Sequence, residues 1–183
     1  DLQPGDIKYL DLNGDGNITG DDRERLYTSD IPEIQFGLNT GMTYKNFDLN
    51  LFFQGQTRAN AMIFGTGEGY HYTKAFWDRW SPDNKDAEYP RALNRDDRFN
   101  KRPSDFWLSD ATFLRLKSAS IAYNLPSSLT SNVGISNMRI ILRGRNILTW
   151  SAMKGNYDPE KEIWEYYYHP QISRFTLGVN LNF

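Results

Sequence analysis

Residues 34–54, IQFGLNTGMTYKNFDLNLFFQ, alternate between large apolar and small polar side chains on both sides of residues 45–46. A period of two predicts β-strands, because successive side chains of a strand leave opposite faces of the sheet. A two-residue turn at 45–46 pairs Tyr44 with Phe47. This register places every large apolar residue of the stretch except Phe52 on one face, so turn and pattern predict the same antiparallel hairpin.

The apolar face of this hairpin has two possible surroundings. It packs on a second sheet in a soluble sandwich, or it meets lipid in an outer-membrane barrel whose polar face lines a lumen. Each arm has about the 9–11 residues that cross a bilayer as a tilted strand. The only charged residues between 34 and 56 are Lys45 and Asp48, and both lie at the turn. These observations favour a pair of transmembrane barrel strands.

Composition agrees with that interpretation. Aromatic residues make up 15% of a chain whose mean hydropathy is only −0.67, as expected where aromatic girdles mark two membrane interfaces. The net charge of −2 implies no nucleic acid or other polyanionic partner. At 183 residues the chain amounts to one domain at most, it contains no cysteine for disulfides, and it has no apolar run long enough for a transmembrane helix.

Three later segments also have strand character. In the first, the apolar residues change from even to odd positions between Leu114 and Ile121. This change predicts a β-bulge near residues 117–119. The last, QISRFTLGVNLNF, alternates up to Phe183 and resembles the terminal strand of bacterial outer-membrane barrels. With the hairpin, the predicted antiparallel strands cover residues 34–44, 47–56, 112–125, 138–149 and 171–183.

Residues 11–22, DLNGDGNITGDD, match the twelve-position calcium loop of EF-hands and dockerins. Hard oxygen donors at this spacing wrap one cation, and the central glycine supplies the sharp turn. The candidate calcium ligands are Asp11, Asn13, Asp15, Asn17 and Asp22. The flanks are not those of a helix–loop–helix, although residues 21–27 could form a short helix. An Asn/Asp/Gly turn that binds nothing is the alternative.

Residues 57–110 and 151–170 are rich in charged and aromatic residues and show little periodicity. A connection as long as the first, without regular structure, favours a functional loop. Its aromatic rings can stack on sugars or peptides, whereas packing of the loop on itself is the alternative for any single ring. The candidate substrate contacts are Tyr70, Tyr72, Trp77, Trp80, Trp107 and Trp164.

The chain shows no arrangement typical of a catalytic site. Its two histidines, His71 and His169, lie far apart, and it has neither a cysteine nucleophile nor a glycine-rich phosphate loop. The carboxylates fall in loops without a distinguishable acid–base pair. We therefore expect a protein that is not an enzyme.

Several motifs together resemble the C-terminal part of the SusC/RagA family of TonB-linked outer-membrane transporters of Bacteroidetes. They are PGDIKY at 4–9, the acidic loop from residue 11, YKNFDL at 44–49, FQG at 53–55, FLRLK at 113–117, YNLP at 123–126, NILT at 146–149 and the terminal Phe183. The resemblance covers residues 4–183. The chain departs from the family pattern at residues 27–28 and 56–57, which affects loop details.

The resemblance implies an all-β fold, namely about five C-terminal strands of a larger, roughly 22-stranded antiparallel transmembrane barrel. It implies import of glycans or peptides across the bacterial outer membrane, with a SusD-like lipoprotein as an outer lid. The N-terminal barrel strands, the plug and the TonB-coupling residues then lie outside this chain.

In that arrangement, residues 1–33 form an extracellular loop that carries the calcium site. Residues 34–183 carry the barrel strands, with extracellular loops at 57–110 and 151–170 and periplasmic turns at 45–46 and 126–137. The alternative function is a secreted calcium-dependent carbohydrate-binding β-sandwich.

Overall fold

The computed structural model describes residues 2–63, 77–92, 100–131, 134–154, 157–160 and 171–183. Seven strands follow one another in this part of the chain: β1 (Ile34–Tyr44), β2 (Phe47–Thr57), β3 (Asn60–Met62), β4 (Leu108–Asp110), β5 (Phe113–Asn124), β6 (Asn137–Ser151) and β7 (Arg174–Asn182). Short helices lie at Gly20–Asp22, Asp105–Trp107 and α1 (Ser127–Thr130). None of the described helices is long and apolar enough to span a bilayer.

The main sheet is open and antiparallel, with the strand order β1-β2-β5-β6-β7. Its five strands are those expected from the alternation, with ends that differ from the predicted ones by at most three residues. The hairpin register is also confirmed, since Tyr44 pairs with Phe47 and Met42 with Leu49. Lys45 in the turn has a positive φ of 53°, which lets the chain reverse within two residues.

The β-bulge predicted near residues 117–119 is present. Along β2 the partner changes from Ser118 at Phe52 to Leu116 at Phe53, so Lys117 is the extra residue. The register of β5 with β6 shifts at the same place. The bulge brings Leu114 and Ile121 to the same face, because one additional residue reverses the parity of everything beyond it.

The main sheet has one apolar and one polar face. The apolar face is the one that the alternation predicts to meet lipid. It carries, among others, Leu38, Met42, Leu49, Leu51, Leu177 and Val179. Leu177 is 70% exposed, and no second sheet covers this face in the described part of the chain. The β-sandwich alternative is therefore not supported. We call the opposite, polar face the inner face.

A small second assembly lies beside one end of the main sheet. Strands β3 and β4 pair, Ile63 donates its N–H to the Trp107 carbonyl at 2.7 Å, and Ile63, Trp107 and Ser109 are buried. We call this assembly, formed by residues 4–9, 57–63, 77–92 and 100–112, the loop-end core. The expectation that 57–110 lacks regular structure is wrong at both ends, because three-residue strands are too short to show a period.

Candidate functional site

The inner face carries an ion network around Arg115. The Arg115 side chain is only 3% exposed and contacts both Asp158, at 2.9 Å, and Glu160. Its Nε donates to the Thr149 hydroxyl at 2.8 Å, and Lys117 Nζ lies 2.8 Å from both Glu160 oxygens. Low polarity around buried charges strengthens such paired contacts, whereas a lone charge there is very costly.

This network ties a connection between strands to the main sheet. Residues 157–160 follow β6, and Gln171 precedes β7. The Gln171 side-chain oxygen accepts from Arg115 at 3.0 Å and from Lys117 at 3.3 Å. Both described ends of the β6–β7 connection are therefore held against the inner face of β5. Sequence reasoning missed this network, and its only signal was a pair of inward-facing cations within the strand FLRLK.

A second node joins the amino-terminal segment to the loop-end core. Asp6 accepts from Arg91 at 2.5 and 3.0 Å and from Asn100 Nδ2 at 3.0 Å. Burial raises the pKa of Asp6, but the hydrogen bonds from Arg91 and Asn100 outweigh it and hold that pKa below its usual value. Asn100 in turn accepts the Trp107 indole N–H at 2.7 Å and the Ile7 N–H at 2.8 Å.

The predicted aromatic contacts have different surroundings. Trp77 is 74% exposed. Trp107 is 2% exposed and packs edge-on against Phe106 with ring centroids 4.9 Å apart, so neither side of its indole is free for stacking. Trp80 lies against Gly5, where a Cβ would come within 2.5 Å of its ring. Tyr70, Tyr72 and Trp164 lie outside the described residues.

The acidic loop is closed by its own backbone. Asp11 accepts N–H groups from Gly14 at 2.6 Å and Gly16 at 2.8 Å, and Asn13 and Asp15 accept from the residues two positions on. Asp22 accepts from Leu12 at 2.9 Å and joins the two ends of the loop. The short helix expected from residue 21 is limited to Gly20–Asp22.

The carboxylates of this loop accept hydrogen bonds from backbone amides of the loop. The Thr19 N–H is the main reason why the pKa of Asp22 lies below its usual value. In this arrangement, the described residues contain no group of three or more acidic, histidine or cysteine side chains that could hold a metal ion. Asn17 contributes only its N–H and amide group to the contacts within the loop.

Comparison with known proteins identifies the class of protein that contains such a sheet. TonB-dependent receptor P3 of Formosa agariphila is 32% identical over 200 residues, which cover 100% of this chain and 19% of that receptor. TonB-dependent receptor SusC of Bacteroides thetaiotaomicron is 25% identical over 185 residues, covering 99% of this chain and 18% of SusC. The RagAB peptide importer in its open-open state matches with a TM-score of 0.65 at 28% identity, over 91% of this chain and 19% of that chain.

The chain is a SusC/RagA-type segment of a TonB-dependent receptor. It spans about a fifth of the length of the curated relatives it matches. No family model matches it. Receptors of this type lie in the bacterial outer membrane, and the five-stranded sheet is a section of such a barrel. The apolar face is accordingly the one that a barrel turns towards lipid. The relatives named above are receptors and a peptide importer rather than enzymes.

Proposed function

We propose that this receptor segment forms part of the wall of an outer-membrane importer that takes up peptides or glycans with energy from TonB. The observation that carries the proposal is the open sheet itself, which has an apolar outer face and a polar inner face. Most of this chain, including the sheet, matches a part of a peptide importer. Five strands cannot close a barrel, which needs about eight. Strands β1 and β7 therefore need further strands of the same receptor at their free edges.

The orientation across the membrane follows from loop length. Barrels of this kind place short turns on the periplasmic side and long loops outside. The hairpin turn at Lys45 would then be periplasmic, and the loop-end core extracellular, where a SusD-like lipoprotein could cover it. Residues 1–33, 57–110 and 151–170 are the extracellular segments in this proposal.

Cysteine labelling of intact cells tests the orientation. Single cysteines replace Asn46 in the turn and Asn84 in the loop-end core of the full-length receptor, and a membrane-impermeant maleimide is added. We expect labelling at position 84 only. Labelling at position 46 only would contradict the proposed orientation.

Peptides are the first substrate class to test, because the structural relative is named a peptide importer. A strain lacking the receptor is complemented with the full-length gene, and uptake of a fluorescent peptide mixture and of labelled oligosaccharides is compared. We expect receptor-dependent uptake of peptides. Receptor-dependent uptake of oligosaccharides alone would favour the glycan alternative, and uptake of neither would contradict the import function.

Of the predicted aromatic contacts that the structure describes, the exposed Trp77 has the ring surface most available to stack on an imported ligand. In the same uptake assay, Trp77→Ala should lower peptide uptake, whereas Leu129→Ala should not. Leu129 is a matched control because it is also a large exposed apolar residue, 67% exposed, but lies after the other end of the sheet. Equal uptake by both variants would remove Trp77 from the ligand contacts.

The acidic loop takes a structural calcium ion in this proposal. Its donors are the hard oxygens that calcium prefers, and Gly16 at the sharp turn has a φ of +82°. Three nearby carboxylates, on Asp11, Asp15 and Asp22, repel one another without a cation. Binding would exchange amide hydrogen bonds of these side chains for contacts with the ion and would order residues 6–30.

Hydrogen exchange of the full-length receptor with and without calcium tests this role. We expect calcium to increase protection of residues 6–30 in the natural protein and to have no effect in Asp15→Ala. The control Asp30→Ala removes a nearby carboxylate outside the loop and should keep the calcium response. If protection is the same with and without calcium, the segment is only a tight Asn/Asp/Gly turn.

A further inference from the structure

The arginines of the inner face fall into two groups. Arg115 is surrounded by carboxylates, and Arg139 lies 2.9 Å from Asp48 and 3.3 Å from the Asn124 amide oxygen. The side chains of three further arginines have no hydrogen bond or ion pair within the described part of the chain, namely Arg143, Arg145 and Arg174. Among the described residues, the inner face thus has neutralised positive charge near the turn and on β5, and uncompensated positive charge on the middle of β6 and the start of β7.

The register brings these three residues together. Arg145 is directly opposite Arg174, and Arg143 is opposite Thr176. Directly opposite side chains on one face have Cβ atoms about 4.5–5.5 Å apart, and like charges in such a pair destabilise the sheet. On the other side of β6, Arg143 faces Ser120 and Arg145 faces Ser118, so the neighbouring strand supplies hydroxyl groups and no acid.

The same side chains line a shallow cavity of about 250 Å³, together with Ile141, Thr176 and Gly178. No carboxylate is among its lining residues. Three guanidinium groups and a hydroxyl around one cavity form a surface rich in hydrogen-bond donors. Guanidinium forks bind planar oxyanions through paired hydrogen bonds, which gives this surface a definite chemical preference.

We propose that Arg143, Arg145 and Arg174 form a subsite for the carboxylate side chains of an imported acidic peptide. The inference rests on the proposed import function, because that function brings peptides past the inner face. It goes further by assigning a charge preference and the residues that set it. Arg145 and Arg174 share one carboxylate across the strand pair, which removes the repulsion between them, and Arg143 with Thr176 holds the adjacent carboxylate or carbonyl oxygen.

The test uses the full-length receptor in detergent and a matched pair of amidated peptides of equal length. One contains Asp and Glu, and the other has Asn and Gln at the same positions, so only the side-chain charge differs. We expect the natural receptor to bind the acidic peptide more tightly. Arg143→Gln combined with Arg145→Gln should weaken that binding about tenfold and leave the neutral peptide unchanged, since charged hydrogen bonds are lost only with the acidic ligand.

Arg23→Gln is the control, because it removes the same charge from an exposed position outside the sheet. Folding of every variant is checked by heat-modifiable gel migration. A measurement on the natural receptor needs no variant. Raising the ionic strength should weaken binding of the acidic peptide and leave the neutral one unaffected, because salt screens charge–charge attraction.

The outcomes separate this inference from the function on which it rests. Equal binding of both peptides, or equal losses in the double variant, would overturn the acidic subsite and leave peptide import intact. A double variant with reduced heat stability but unchanged peptide preference would show that the arginines pair with carboxylates elsewhere in the receptor. Arginine-dependent binding of a uronate oligosaccharide without any peptide binding would overturn the acidic-peptide subsite and favour glycans as the substrate of the proposed importer.

Discussion

The main sheet and the loop-end core reach order by different routes. In the sheet, five strands are joined by long backbone ladders, and most of their large apolar side chains remain exposed on the outer face. In the loop-end core, order comes from side chains far apart in sequence, such as Asp6 with Arg91 and Asn100. The first region depends on a repeated local pattern and an apolar solvent. The second depends on a few specific contacts.

The Arg115 network combines features of both regions, because its side-chain contacts hold a loop against a strand of the main sheet. Replacing Arg115 by Ala leaves the Asp158 and Glu160 carboxylates buried without their main partner. Loss of one member of a buried ion group costs roughly 3–5 kcal/mol. We expect residues 157–160 to detach while β5 keeps its ladder.

Hydrogen exchange and limited proteolysis of the full-length receptor measure this effect. The control is Arg143→Ala, which removes an inner-face arginine that has no described partner. It should leave protection of residues 157–160 unchanged. Equal loss of protection in both variants would mean that the network does not hold the connection.

The two faces of the sheet can be compared at adjacent positions. Leu51 lies on the apolar face and Asn50 on the inner face. An arginine facing the middle of the bilayer costs roughly 2–4 kcal/mol, whereas one facing the lumen costs far less. Leu51→Arg should therefore reduce the amount of assembled receptor more than Asn50→Arg, as measured by heat-modifiable migration of outer-membrane fractions. Equal assembly would contradict the assignment of the faces.

The loop-end core is most sensitive where its backbone and an aromatic ring meet. Gly5 has a φ of +86°, and an added Cβ would lie 2.5 Å from the Trp80 ring. In Gly5→Ala, the backbone conformation alone should weaken docking of residues 4–9 by about 1–3 kcal/mol. The clash with Trp80 should add to this loss. Gly134→Ala is the control, because its φ is +72° and no atom lies near.

The effect of Gly5→Ala is measured by hydrogen exchange of residues 4–9 and 77–92. We expect a larger loss of protection there than Gly134→Ala causes around its own position. If the two losses match, the contact with Trp80 contributes nothing beyond the backbone conformation.

The smallest effect concerns pH. The pKa of Asp6 is below its ordinary value of 3.8, so its ion pair contributes stability that is complete above that value. The contribution is lost as the pH falls through the lower pKa of the folded state. Protection of residues 4–9 should decrease over that acid range in the natural protein. In Asp6→Asn, protection of residues 4–9 should be weaker at neutral pH and should show no decrease over the acid range. A decrease that persists in this variant would assign the titration to another group.

Local pattern was enough to predict most of the sheet. Alternation located all five strands, and the slip of parity between Leu114 and Ile121 located the bulge at Lys117. These predictions succeed because a barrel strand has one apolar and one polar face, so the polarity of each side chain indicates the face on which it lies. The strands β3 and β4 escaped prediction, because three residues in a charged loop carry no such pattern.

Side-chain partners were much less predictable. The residues 11–22 were recognised as a candidate calcium loop from spacing alone, but their hydrogen bonds became visible only in three dimensions. Trp107 resembled the other loop aromatics in the sequence, and its burial depends on Phe106, Asn100 and Ile63, which meet it only in the folded chain. Burial of a single aromatic in a loop has no local signature.

By itself, the sequence determined that this chain is an antiparallel membrane-barrel section, which strands compose it and which way their side chains face. Those properties repeat every two residues and depend on the solvent on each side of the sheet. The tertiary structure alone decided which charges are paired. Arg115 and Arg143 look alike in the sequence, but one meets carboxylates from beyond β6 and the other faces an open cavity. Pairing depends on distances between residues remote in the chain, which no local pattern encodes.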